Sequence, residues 1–94
     1  MAYFMVNYQY VGDAEQMAAI RPTHREWLAH QLEVGNLLAS GPLVDLPGAL
    51  LIFKSESLVS LSALVDEDPF DIAGLIGERD IAEWNPVFGP WSNS

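Results

Sequence analysis

The sequence predicts a single α+β domain over residues 1–94, in the split βαβ order strand, helix, strand, strand, helix, strand. Three observations predict it. Tyr3 to Tyr10 is dense in aromatic and branched residues and alternates along its length, which marks a strand. Ala49 to Phe53 is a run of five apolar residues without alternation, which marks a strand covered on both faces. Apolar residues recur at helical spacing in 22–34 and again in 58–65. Two right-handed βαβ crossovers then place both helices on one face of a four-stranded antiparallel sheet.

Each element has a local cause. In the first strand Phe4, Val6, Tyr8 and Tyr10 face the core, and Tyr3, Met5, Asn7 and Gln9 face the other way. Val11-Gly12-Asp13 is a turn, and Asp13 caps a short helix over Ala14 to Ile20. Pro22 biases Arg21 away from helical geometry, so a break is expected at Arg21. A second helix then starts at Pro22, holds His24 in its opening turn, and stops at Gly35. At about 100° per residue, Leu28, Gln31 and Leu32 lie within roughly 80° of His24, so His24 joins the inward stripe.

Leu37 to Ser40 reads as a strand ending at Gly41-Pro42, and 45–48 is a turn. Ser57 caps the next helix, with Leu58, Leu61, Leu64 and Val65 as its core stripe. Asp66 to Asp68 ends that helix, and Pro69 to Leu75 forms a further short helical stretch. The last strand is expected over Glu78 to Phe88, with Ala82, Trp84 and Phe88 on one face and Ile81 and Val87 on the other. Pro86 cannot donate to a ladder, which puts this strand at an edge or gives it a bulge. The sheet face away from the helices carries Tyr3, Met5 and part of 49–53. A bare apolar face of this kind meets another surface, and a second copy of the chain is the simplest partner.

Composition excludes several classes. There is no cysteine, hence no disulfide framework, no thiolate metal site and no cysteine nucleophile. Four basic residues against thirteen acidic ones give a net charge of −9, which argues against nucleic acid and anionic membranes as partners. No apolar stretch reaches membrane-spanning length and no signal-like run opens the chain, so a cytoplasmic protein is expected. His24 and His30 are six residues apart, about 240° around a helix, so they do not share a metal. The glycines form no phosphate-binding pattern, and Ser40 has no nucleophile-elbow sequence.

What is left for chemistry is a pair. A titratable ring at the edge of a core is either a structural histidine or a tuned acid or base. Asp68, before Pro69, is either a helix cap or the carboxylate that orients the His24 ring. Arg21 either holds an anionic substrate group or forms a surface ion pair. Neutral imidazole can take a proton from an acidic carbon or hydroxyl while a carboxylate steadies the imidazolium, and this needs neither metal nor cofactor.

Four segments together carry a family resemblance: Arg21-Pro22-Thr23-His24, Ser40-Gly41-Pro42, Asp68-Pro69-Phe70, and Trp84-Asn85-Pro86-Val87-Phe88. In order and spacing they resemble the YCII (YciI-like) family of the dimeric α/β-barrel superfamily. The resemblance implies a ferredoxin-like fold that dimerises into an α/β barrel, and an active site built on His24 and Asp68. Arg21 and Ser40 are taken as the candidate substrate-binding residues. Some members of that family act on chlorinated hydroxyaromatic intermediates, and its fold is similar to that of muconolactone isomerases. The Val44–Gly48 turn is shorter than the loop relatives often carry there. The expected function is therefore a cofactor-independent lyase or isomerase using His24 and Asp68. The alternative is a non-catalytic dimeric ligand-binding or accessory protein on the same scaffold. The separation of His24 and Asp68 discriminates between the two.

Overall fold

A computed structural model describes residues 1–92. Its elements are β1 (Ala2–Tyr10), α1 (Ala14–Glu33), β2 (Leu37–Pro42), β3 (Gly48–Ser55), α2 (Leu58–Val65), α3 (Pro69–Ile72) and β4 (Ile76–Trp84). The strands form one antiparallel sheet in the order β2-β3-β1-β4. This is the expected ferredoxin-like βαββαβ fold.

The register shows why the β1 alternation is informative. Phe4, Val6 and Tyr8 pair with Phe53, Leu51 and Ala49 of β3, and all six are buried in one cluster. Leu61 and Val65 of α2 close that cluster, with Trp27 and Leu28 of α1 packed against it. The rows between them face away from the helices: Tyr3 beside Lys54 and Trp84, Met5 beside Ile52 and Ala82, Asn7 beside Leu50 and Asp80. The 49–53 run is covered throughout on the helix face; on the other face Ile52 is buried and Leu50 is 41% exposed. Gly48 is required where it stands, because a Cβ there would lie 2.2 Å from the Tyr8 carbonyl oxygen.

Three expectations need correcting. The first is the break at Arg21. Helix α1 runs unbroken from Ala14 to Glu33, with Pro22 inside it and His24 near its middle. Proline removes one helical hydrogen bond, the one Ala18 would accept. Both Pro22 and Ala18 are exposed, so water can serve that carbonyl. The helix is anchored on both sides of the proline. Met17 packs with Phe70 and Leu75, Trp27 and Leu28 pack on the main cluster, and an Asp13–Gln16 capping box starts the element.

The second is the inward stripe. Gln31 is buried and Leu32 is 57% exposed. The Gln31 amide oxygen accepts from the Asn36 side chain at 2.9 Å, which satisfies a polar group in the core just before the Gly35 stop. Leu58, at the first turn of α2, is likewise half exposed. The third is the last strand. It spans Ile76–Trp84 and ends before Pro86, leaving Val87 and Phe88 outside the ladder. β4 is an edge strand, and the ladder shifts register between Gln9 and Tyr10. Trp91 meets Trp84 edge-on at 6.3 Å within the chain.

Candidate active site

Asp68 sits at the junction of α2 and α3 and is 0% exposed. Its two carboxylate oxygens do different work. Oδ1 accepts from the Phe70 backbone N–H at 2.9 Å, the N-cap bond that starts α3 at Pro69. Oδ2 accepts from the Tyr8 hydroxyl at 2.8 Å and meets His24 Nε2 at 3.2 Å. Cap and histidine partner are thus one residue, and the two readings of Asp68 are not alternatives.

The ring of His24 is held from three sides. Nε2 rests on Asp68, Phe70 lies against the ring at 4.1 Å between centroids, and Trp27 stacks at 6.4 Å. With Asp68 accepting every bond it makes, the neutral imidazole must carry its proton on Nε2. Nδ1 then keeps its lone pair, and it has no protein partner among the described residues.

His24 is 8% exposed and forms part of the wall of a cavity of about 270 Å³ between α1, α3 and the β2–β3 side of the sheet. Tyr10, Arg21, Arg25, Leu28, Ser40 and Phe70 are among its other lining residues. The structure therefore gathers His24, Arg21 and Ser40 at one cavity, with Asp68 directly behind His24. No group of three or more side chains suited to hold a metal ion occurs among the described residues.

Two residues complete the arrangement and were missed by sequence reasoning. Tyr8 was placed in the core, but its hydroxyl had no assigned partner. A buried tyrosine needs one, and that requirement was the available signal. Arg79 of β4 lies beside Tyr8 in register, on the helix face of the sheet. It binds Asp66 at 2.8 Å and also pairs with Asp71. These bonds tie the residues flanking Asp68 to the sheet. Burial alone would lower the Arg79 pKa, but the bond to Asp66 and the charges of Asp71 and Asp66 outweigh it and raise the value.

Electrostatics keep both tyrosines near Asp68 protonated. Burial first, then the neighbouring Asp68 charge, holds the Tyr8 phenol far above its ordinary range. The same two causes push Tyr10 up to about 12. The sign for stability follows. A raised phenol pKa means the unfolded chain loses its proton first as pH rises, so the folded state binds more protons and stability falls. The contribution is whole below about pH 10 and is lost as pH rises through about 12. Tyr8→Phe should flatten the alkaline decline in Tm between pH 9 and 12, because it removes the more strongly shifted phenol. An alkaline profile parallel to that of the wild type would contradict this.

Comparison with known proteins follows the fold. The model of the YCII-related domain matches residues 1–85. Among curated proteins, none matches by sequence. The structure of 5-chloro-2-hydroxyhydroquinone dehydrochlorinase from Burkholderia phenoliruptrix, in complex with 2,5-dihydroxybenzoquinone, is similar with a TM-score of 0.78 at 20% identity, covering 88% of this chain and 93% of that one. Muconolactone isomerase gives a TM-score of 0.72 at 10% identity, covering 100% and 96%. A NIPSNAP family protein from Agrobacterium tumefaciens gives 0.57 at 16% identity, covering 97% and 95%. At these identities the likeness establishes the fold alone.

Proposed function

The chain belongs to the YCII-related domain family, and from that premise and the site's geometry we propose that it is a cofactor-independent small-molecule enzyme of lyase or isomerase type. The observation that carries this is the His24–Asp68 contact of 3.2 Å at the wall of a cavity. His24 is the catalytic base. Its Nδ1 takes a proton from an acidic carbon or hydroxyl of the substrate. The electron pair released either expels a leaving group or is reprotonated at a neighbouring carbon. Asp68 does not touch substrate. It is a positioning residue that fixes the Nε2–H tautomer and steadies the imidazolium as it forms.

The cavity sets the scale of the substrate. A protein cavity of about 150 Å³ accepts benzene, so about 270 Å³ suits one substituted ring. The reactions named for two proteins of similar fold, a dehydrochlorination and a lactone isomerisation, are of this kind. The test is direct. The purified protein is incubated with 5-chloro-2-hydroxyhydroquinone, with chloride release followed, and with muconolactone, with isomerisation followed. Turnover of either substrate supports the reading. With neither turned over, a broader search of cyclic hydroxy and keto acids that also yields no proton exchange from solvent would refute it.

The working unit in this reading is a homodimer joined through the bare sheet face. Tyr3, Met5, Ile52 and Ala82 form its centre, and Leu50 and Trp84 remain 41% and 39% exposed on it. Light scattering at micromolar concentration should give a mass near twice the 10.4 kDa of one chain. A mass equal to one chain would exclude the dimer. Replacing Met5 and Leu50 by lysine should produce that monomer, because the charges would then be buried at the interface without partners.

A further inference from the structure

The cavity beside His24 is electrostatically unlike the rest of the molecule. The chain has thirteen acidic residues, and none lines this cavity. It has four basic residues, and two of them, Arg21 and Arg25, do. The other two are engaged elsewhere: Arg79 with Asp66 and Asp71, and Lys54 over the Tyr3 ring at 5.6 Å. Arg21 and Arg25 form no ion pair among the described residues.

Helix geometry makes the placement specific. Arg21, His24, Arg25 and Leu28 stand at i, i+3, i+4 and i+7, one stripe of α1, and all four line the cavity. Like charges at i and i+4 repel and weaken a helix slightly. This pair lies in the same helix that already accommodates Pro22. An anion between the two guanidiniums would turn the repulsion into binding, and planar guanidinium groups match the oxygens of a carboxylate or enolate.

Resting on the reading of His24 as the base, we infer that the substrate is a small cyclic anion whose charged oxygens dock on Arg21 and Arg25. Its ring then lies against Leu28, Leu51 and Phe70, the apolar part of the lining. Tyr10 and Ser40 supply hydroxyls at the same wall, and Tyr10, pushed up to about 12, remains a hydrogen-bond donor at neutral pH. Arg25 is thereby assigned beside Arg21 as a specificity residue.

Benzoate and benzamide test this, because they share ring and shape and differ in charge. Isothermal titration of the wild-type protein should show benzoate binding at least about tenfold tighter than benzamide. Arg21→Gln and Arg25→Gln should each weaken benzoate by about tenfold or more and leave benzamide unchanged. Both side chains are exposed, so Tm should hold in both variants. Benzamide binding as well as benzoate, benzoate failing to bind, or benzoate affinity surviving the double replacement would each overturn the assignment. The proton-transfer reading fails on a different measurement. His24→Gln should keep benzoate binding and lose turnover, so anion binding without any His24-dependent turnover sinks the base and leaves the anion site standing.

Discussion

His24→Gln should reduce turnover by about 10²–10⁴-fold, the usual contribution of a positioned general base, with little change in fold. Glutamine is the informative replacement because its amide N–H₂ can still donate to Asp68 Oδ2, where His24 Nε2 now sits at 3.2 Å. The buried carboxylate keeps a partner, and what disappears is the lone pair on Nδ1. Alanine would confound the result. It would strip the ring that packs on Phe70 at 4.1 Å and leave Asp68 facing a void. The measurement is kcat on whichever substrate the protein turns over, with Tm alongside. Turnover within a few-fold of wild type would remove His24 as the base, whatever the fate of Asp68.

How much of this was legible in the sequence depends on the range of the interaction. Local signals were read correctly. The period-two alternation of β1 separates Phe4, Val6 and Tyr8 from Tyr3 and Met5, and the ladder keeps that division. The caps Asp13, Ser57 and Asp68 all accept the backbone N–H that their type and position predict. The Gly35 stop holds as well, with φ at 88°.

Failures came where a local rule met a tertiary force. The preference of the residue before proline against helical geometry is real, yet packing on both sides of Pro22 outweighs it. The inward stripe was drawn too wide: Gln31, about 20° around the axis from His24, is buried as read, and Leu32, about 80° away at the edge of the stripe, is exposed.

The site was half legible for a related reason. His24 and Asp68 are readable as a candidate pair, each also with a structural explanation, but the 44 residues between them leave their contact to the fold. Tyr8 and Asp68 are 60 apart and meet only because β1 runs down the middle of the sheet beneath the α2–α3 junction. Arg79 offered a usable signal. Ile81 was placed on one face of the last strand, and Arg79 shares its parity. An arginine on that face needs acidic partners, and Asp66 and Asp71 were available in the preceding turn. The dual role of Asp68 could not be read from spacing, since it depends on which carboxylate oxygen faces which neighbour.

That dual role makes Asp68 the position where stability and chemistry can be separated. Asp68→Ala removes the cap of α3 and leaves the Tyr8 hydroxyl buried without its acceptor, so folding should weaken by about 2–5 kcal/mol, the lost cap and the unsatisfied buried hydroxyl taken together. Asp68→Asn behaves differently. Asparagine caps about as well as aspartate, so Oδ1 keeps the Phe70 N–H and α3 stays in place. The atom facing His24 becomes an N–H₂ group, which donates where the carboxylate accepted. His24 can meet it only by presenting a bare Nε2, which moves the ring proton to Nδ1. The ring nitrogen not bound to residue 68 is then a donor, and the base is gone without removal of the histidine. Turnover should fall by up to about 10⁴-fold, the scale a reversed tautomer produces in a histidine-based site, at a much smaller loss of Tm than Asp68→Ala causes. The ¹⁵N shifts of the His24 ring report the tautomer directly. Nε2–H in the wild type and Nδ1–H in Asp68→Asn would establish that the carboxylate sets the base. The same tautomer in both proteins would reduce Asp68 to its cap.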